Sequence, residues 1–462
     1  MNMKKLKKLK LSPPLNFKLR KPDLNKINRQ KVINALEKNP TKYRKILEKA
    51  NEPQYLYWTK FKYKIRDDVL SPEELWYLVR QFRNISATES LIKAENSDNF
   101  KWLRLPSTEE YLHSVDMMAG GQLLPYPNIL SQSNQQTFIS RGIIEEAIAS
   151  SQLEGAHTTR AAARKMIIEK RSPRNASERM ILNNYKAINA IEENYKNQEL
   201  SLDLLFELHR ILTRDTINKT EQNRLRENSD EIVVQGEIDQ EQFITHLPPS
   251  ENFVREEIKR LIDYANDQMG QKFTHPITKA IFLHFWIGYL HPFTDGNGRL
   301  ARALFYWYLL KKGYWTFMFL PISTVIKKSP SQYALAYIYS EQDNLDITYF
   351  YDFHIRKVLQ AVEDFKIYLG SKIKENQEVD KIISKKVTLN ERQKQLVHYF
   401  ISDPNPSTTV SSHSTLNNIS RQTAAKDLKV MEADKLLYAK REGKYVRYYP
   451  AKTLLGLWGE RK

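Results

Sequence analysis

Apolar residues recur at helical spacing along most of this 462-residue chain, and alternate in strand fashion at one clear place. From about Asn25 to Ala50, Ile33, Leu36, Tyr43, Ile46 and Leu47 fall at helical intervals. Tyr55 to Arg66 is aromatic and basic and reads as extended. Ser71-Pro72-Glu73-Glu74 is a strong helix start, because serine caps, proline suits the first turn and acids favour the positive helix end. The helix it opens should run to about Asn84. Residues 95–135 mix Pro, Gly-Gly and short helical pieces, as packed connections do. From Thr137 the helical pattern predicts helices over 138–153, 159–171, 176–195, 201–213, 251–268, 276–290 and 299–311, with more over 322–340 and 347–375. The exception is 231–246. There Glu231-Ile232-Val233-Val234-Gln235 and Gln242-Phe243-Ile244-Thr245-His246 flank Gly236 and polar residues, which reads as a hairpin.

The last stretch has a different rhythm. A helix over Asn390–Ile401 is followed by a linker at Asp403–Ser407, a short segment at Ser414–Asn418 and a capped helix over Ser420–Ala433. Leu436–Tyr438 and Tyr445–Tyr449 then bracket Arg441-Glu442-Gly443-Lys444. Helix, turn, helix, hairpin is the order of a winged helix-turn-helix. The expected fold class is mainly α, with a basic arm at 1–22, a mostly helical region at 23–136, a central helical unit at 137–375 and a C-terminal unit at 385–462. Only 14 glycines in the chain fit helices better than a sandwich or barrel.

Composition narrows the chemistry. The absence of cysteine removes disulfides, thiolate metal sites and a cysteine nucleophile. A formal charge of +18 suggests anionic partners such as nucleotides, nucleic acid or acidic proteins. Residues 1–22 carry eight Lys or Arg and no acid, as a solvated arm would. No apolar run reaches the roughly 18 residues of a membrane span. Pro13-Pro14 interrupts the basic N-terminus before any long apolar region, which argues against a secretory signal. A cytoplasmic protein without a membrane partner is expected.

The densest chemistry lies in His291-Pro292-Phe293-Thr294-Asp295-Gly296-Asn297-Gly298-Arg299-Leu300-Ala301-Arg302. An apolar helix over 278–290 delivers His291, and Pro292 opposes its continuation. Asp295 to Gly298 can set successive N–H groups around one anion, since glycine tolerates the φ values required. The helix resuming near Arg299 points its positive end at the same anion. Arg299 and Arg302, three apart on one face, can both reach a polyphosphate. Asp295 beside phosphates suits Mg²⁺, and His291 can take a proton near neutral pH.

This run matches every defining position of the Fic family motif, H-P-F-x-[D/E]-G-N-G-R-x-x-R, and the chain resembles that family over roughly 137–370. His275-Pro276 opening the motif helix and a hairpin ending in Pro-Pro extend the fit. The resemblance implies a Fic-type helical bundle that transfers AMP from ATP to a Ser, Thr or Tyr hydroxyl of a target protein. His291 would be the general base and Asp295 the Mg²⁺ ligand. Gly296, Asn297 and Gly298 would cradle phosphates, with Asn297 touching one and Arg299 and Arg302 holding the β- and γ-phosphates. The hairpin resembles the family flap, in which Ile232, Val233, Val234, Phe243, Ile244 and Thr245 would pair with an extended target segment. One departure concerns the loop before the flap, where Asn223 stands ahead of Arg226 in place of a frequent glycine.

Ser150-Ser151-Gln152-Leu153-Glu154-Gly155 ends a predicted helix, with Gly155 placed as its C-cap. An acid at a helix C-terminus is unfavourable, so Glu154 should have a cationic partner. By resemblance, Ser150, Glu154 and Gly155 are the family's inhibitory motif, [S/T]-x-x-x-E-[G/N]. Glu154 would then pair with Arg302 and spoil the productive γ-phosphate pose. In some relatives this glutamate also serves removal of AMP from the target. The rival reading is a DNA-binding regulator. Over 391–462, 13 Lys or Arg against 7 Asp or Glu leave a net +6. Arg421, Gln422, Lys426 and Lys429 lie on the recognition helix, and Lys440, Arg441 and Lys444 on the wing. A homodimer is compatible with either reading.

Overall fold

The structure, a computed structural model, describes residues 15–25, 27–119, 132–270, 273–382, 387–403, 406–443 and 445–459. The basic stretch 1–14, Gly120-Gly121 and Lys444 lie outside the described residues. The fold is mainly α, with three short two-stranded sheets among the described residues.

The first amphipathic segment is two helices, α1 (Arg29–Lys38) and α2 (Pro40–Asn51). Asn39 caps the second and Pro40 opens it, so the helical phase resets there. Val32, Ala35, Tyr43 and Ile46 are buried, whereas Ile33 is 48% exposed. Where an extended segment was expected, Trp58–Lys64 forms α3. Its Trp58 and Phe61, one turn apart, both pack on Trp76 of α4 (Pro72–Ser86), so burial of an aromatic face decides the local conformation. The Ser71 cap is reciprocated by Glu74 in a full capping box. A hairpin of β1 (Thr88–Lys93) and β2 (Asn99–Trp102) then precedes α5 (Pro106–Ala119), in a stretch where the sequence predicted only helical pieces and connections.

The central body contains α6 (Gln132–Leu153), α7 (Arg160–Ile168), α8 (Ala176–Ala190), α9 (Leu202–Thr213), α10 (Glu251–Ala265), α11 (Pro276–Leu290), α12 (Asn297–Lys311), α13 (Ile322–Ile326), α14 (Pro330–Gln342) and α15 (Thr348–Ile382). Helix α11 is mostly apolar and buried on all sides, with Ile281, Phe285, Trp286 and Ile287 at its centre. Ile92, Phe100, Trp102 and Val115 join the same core, which seats the first hairpin and α5 on this body.

Helix α6 is fixed from below. Buried Glu146 accepts from Tyr306 Oη (2.9 Å), from the Ser323 N–H (2.9 Å) and from the Ser323 hydroxyl. At Gly142 an added Cβ would lie 2.0 Å from the Met318 carbonyl oxygen. Gly142→Ala should therefore push α6 off its seat and cost about 1–3 kcal/mol. A thermal melt followed by circular dichroism checks this, and an unchanged Tm would contradict the packing.

The second hairpin comprises β3 (Val234–Ile238) and β4 (Glu241–His246). Its turn is Asp239-Gln240, both at positive φ. Gly236 therefore lies inside β3, not in the turn, and Ile232 and Val233 precede the strand. The left-handed positions fall to Asp239 and Gln240, while Gly236 permits close cross-strand approach: an added Cβ would meet Thr245 Cγ2 at 2.9 Å.

The C-terminal unit is α16 (Glu391–Ser402), α17 (Val410–Asn417), α18 (Arg421–Ala433), β5 (Leu437–Glu442), β6 (Tyr445–Pro450) and α19 (Lys452–Gly459). Leu396, Val397, Phe400, Leu428 and Met431 form its own core. It docks on α6, where Thr137 Oγ1 donates to Asn417 Oδ1 (2.9 Å) and Ser140 Oγ to the Thr415 carbonyl (2.7 Å). Arg421, Gln422, Lys426 and Lys429 are exposed on α18. Among the described residues, no helix is long and apolar enough to cross a membrane.

Candidate functional site

Helix α11 ends as the sequence dictates. His275 caps its start by accepting from the Ile277 N–H, Pro276 occupies the first turn, and His291 stops it in the left-handed conformation at φ +47°. A non-glycine residue there needs holding. Arg226 does this: Nε donates to the His291 carbonyl (2.7 Å), Nη2 to the Leu290 and Pro249 carbonyls, and its own N–H to the Pro292 carbonyl (2.8 Å). The loop carrying Asn223 thus closes without a glycine, aided by Gln222 Nε2 on the Thr213 carbonyl (3.0 Å).

The turn between α11 and α12 is braced from inside. Asn297 does not aim its amide outward: Oδ1 accepts the Phe293 N–H (2.9 Å) and Nδ2 donates to the Phe293 carbonyl (2.8 Å). His209 stacks on the Phe293 ring, centroids 3.8 Å apart, and its Nε2 lies 2.9 Å from the Asp295 carbonyl. Gly296 has φ +85°, and an added Cβ would strike Thr213 Cγ2 at 2.7 Å. No side chain caps α12. Its positive end lies at a turn in which the Phe293, Asn297 and Arg299 side chains are committed inward.

The two arginines diverge. Arg299 is fully buried; its Nη1 donates to the Leu212 carbonyl (3.0 Å) and its Nη2 to Asp295 Oδ2 (3.1 Å). It is a strut of the turn rather than the second half of an outward-facing pair. Arg302 reaches α6 instead: Nε donates to Ser150 Oγ (2.8 Å), and Nη2 to the Ser150 carbonyl (2.9 Å) and to Glu154 Oε1 (3.1 Å). Burial opposes the Arg302 charge, yet Glu154 and Glu146 raise its pKa overall. Gly155, at φ +90°, ends the helical turn behind Glu154.

The Glu154 carboxylate lies directly over the glycine turn. A Cβ built on Gly298 would sit 2.2 Å from Glu154 Oε1 and 2.9 Å from its Cδ. A side-chain anion therefore occupies the place where the helix end and Arg302 converge.

Asp295 is half exposed. Its Oδ1 accepts the Gly296 N–H and its Oδ2 Arg299, each oxygen keeping a further lone pair. Among the described residues no cluster of three or more His, Asp or Glu could hold a metal alone. A single open carboxylate beside an anion site fits an ion such as Mg²⁺, which takes one or two protein carboxylates plus phosphate oxygens.

His291 is partly buried, and that burial, with His246 and Arg226 nearby, holds its imidazole well below the usual pKa. It is neutral at pH 7, as a proton acceptor must be. A base with the ordinary value near 6.5 loses about three quarters of its neutral form at pH 6. A lowered pKa moves that loss to more acidic pH. Any His291-dependent rate should thus change less than about twofold between pH 7.5 and 6; a fall tracking a midpoint near 6.5 would contradict this.

Of the residues expected in a flap, Val234, Phe243, Ile244 and Thr245 lie in the hairpin strands. The β4 end approaches the site through His246, whose Nε2 lies 2.7 Å from the Tyr289 carbonyl while its Nδ1 pairs with Glu341 (2.6 Å). Tyr333 is packed, with its hydroxyl 2.9 Å from His284 Nε2. Arg226 and His209 are the residues that sequence reasoning missed as parts of the site. Arg226 stood out only as an arginine before the hairpin, and nothing in the periodicity marks His209.

Residues 199–309 match the model of the Fic/DOC family. The protein adenylyltransferase fic-1 of Caenorhabditis elegans is 30% identical over 119 residues, covering 26% of this chain and 21% of that protein. The protein adenylyltransferase Fic of Culex quinquefasciatus is 26% identical over 233 residues, covering 50% of this chain and 42% of that protein. The chain thus spans between about a fifth and two fifths of these curated relatives. A crystal structure of a Fic family protein from Desulfovibrio desulfuricans G20 aligns with a TM-score of 0.48 at 17% identity, covering 76% of this chain and 97% of that one.

Proposed function

We propose, from the match of residues 199–309 to the Fic/DOC family model, that the chain is a protein adenylyltransferase restrained by its own Glu154. The observation that carries this reading is the Glu154 carboxylate resting on Gly298 and Arg302. A site that binds a carboxylate there has the donors and charge to bind a phosphate of ATP.

In the proposed reaction the target hydroxyl gives its proton to His291 as its oxygen bonds to the α-phosphorus of ATP. The bond from that phosphorus to the bridging oxygen breaks, and pyrophosphate leaves. The helix end at Asn297 and Gly298 and the Arg302 guanidinium offset the phosphate charge. Arg226 keeps His291 in its left-handed perch. Arg299 holds Asp295, the residue proposed to bind Mg²⁺, which when bound would neutralise phosphate charge. The outer edge of β4 is proposed to hold the target segment by main-chain pairing.

Glu154 is proposed to compete with the γ-phosphate for Arg302, so that ATP binds with its α-phosphate misaligned. The same carboxylate could position water to remove AMP from a modified target. A regulator led by DNA binding is the less favoured reading, because His291 to Arg302 lie within residues 199–309, which match the Fic/DOC family model.

The test is labelling of a cell lysate by the full chain and its Glu154→Gly variant with ATP radiolabelled at the α- or the γ-phosphate. Label entering protein from the α-phosphate alone supports the reading. Label from the γ-phosphate would indicate a kinase, and no label in either case would overturn AMP transfer.

A further inference from the structure

Residues 15–17 run beside β4 and bridge to it. The Phe17 N–H donates to the Ile244 carbonyl (2.9 Å), and the Ile244 N–H donates to the Leu15 carbonyl (3.0 Å), a parallel bridge centred on Asn16 and Ile244. The Phe17 ring meets Phe243 edge to face, with centroids 5.3 Å apart. Past the bridge the segment is clamped. Gln342, the last residue of α14, donates from Nε2 to the Phe17 carbonyl (3.0 Å) and accepts the Leu19 N–H at Oε1 (3.0 Å). Tyr57 Oη donates to the Arg20 carbonyl (3.2 Å).

The inner edge of β4 is paired with β3. The donor and acceptor that Ile244 presents on the outer edge are those an incoming extended peptide would use, and the chain's own residues already hold them. We propose that residues 15–19 are a tethered occupant of the target-docking edge. A target must displace them, and it docks parallel to β4 with a large apolar or aromatic side chain over Phe243. This rests on the reading of β3 and β4 as a flap. A second restraint follows from it, physically separate from Glu154: one acts at the phosphate site, the other at the peptide site. Because the arm is part of the chain, it competes at an effective concentration that linkage places on the order of millimolar. Two main-chain hydrogen bonds and an aromatic contact then suffice to discriminate against weak peptides.

The experiment uses the full chain carrying Glu154→Gly, with and without Phe17→Pro, which removes both the N–H donor and the ring. Gln342→Ala serves as a second variant that loosens the clamp without touching the edge. The probe is a fluorescent synthetic peptide of residues 13–22. Either variant should bind it at least about tenfold tighter than the chain with its native arm, and hydrogen exchange at the Ile244 amide should speed up by a similar factor. Added in excess, unlabelled peptide should depress lysate labelling by the Phe17→Pro chain. Equal peptide binding by all chains overturns the tethered occupant. Peptide that discriminates between the chains yet leaves lysate labelling untouched would overturn the β4 edge as the target site, and the competitor role with it.

Discussion

Glu154→Gly should raise α-phosphate transfer to protein by about a hundredfold at saturating ATP, the scale of a small misplacement of reacting atoms. The carboxylate lies against Gly298 and takes a hydrogen bond from Arg302. Its removal frees both without disturbing Arg302, because Ser150 still accepts from Nε and Nη2. Glu154→Ala, which keeps the helix propensity of this turn, should activate to a similar degree. If only the glycine variant were active, loosening of α6 rather than removal of the anion would be the cause. A filter-binding assay of purified chains with a lysate fraction measures the effect directly.

His291→Ala should lower transfer by about 10² to 10⁴ in the Glu154→Gly background, the range for loss of a general base. The fold should survive it. The His291 main chain accepts from Arg226 and donates to the Ile287 carbonyl, and neither bond needs the ring. ATP affinity should stay within about twofold, since the groups proposed to meet phosphate are the helix end and Arg302. A large loss of ATP affinity would move His291 from proton transfer to nucleotide binding. Arg226→Ala would differ from both, because it releases the carbonyls of Leu290, His291 and Pro249 together and should lower stability along with rate.

Much of this site was legible in sequence because it is local. A buried helix, a proline that stops it, two glycines and a second helix start occupy a dozen residues, and their backbone preferences leave little freedom. The Glu154 to Arg302 contact spans 148 residues yet was also expected, since an acid at a helix C-terminus needs a cation and the inhibitory motif supplied the partner by resemblance. What escaped reading is directional or distant. Asn297 and Arg299 have the right identities, but the turn uses their side chains inward, on Phe293 and on Leu212 and Asp295, because a short turn carrying two glycines needs bracing. Arg226 and His209 act through main-chain carbonyls that no periodicity reveals. In the N-terminal region, burial of Trp58 and Phe61 made a helix from a segment whose composition suggested extension, and Pro40 shifted a helical phase that continuous spacing would have kept. The edge of β4 was read as open to a partner, whereas residues 15–17 already pair with it.

Glu154 and the γ-phosphate of ATP are proposed to compete for one place on Arg302 and Gly298. Crystal structures of the full chain and of Glu154→Gly, each with the same non-hydrolysable ATP analogue, test it most directly. Only in the variant should the γ-phosphate sit on Arg302, with the α-phosphorus turned in line for a hydroxyl held at His291. An identical analogue pose in both chains, with Glu154 still paired to Arg302 in the unsubstituted one, would contradict it.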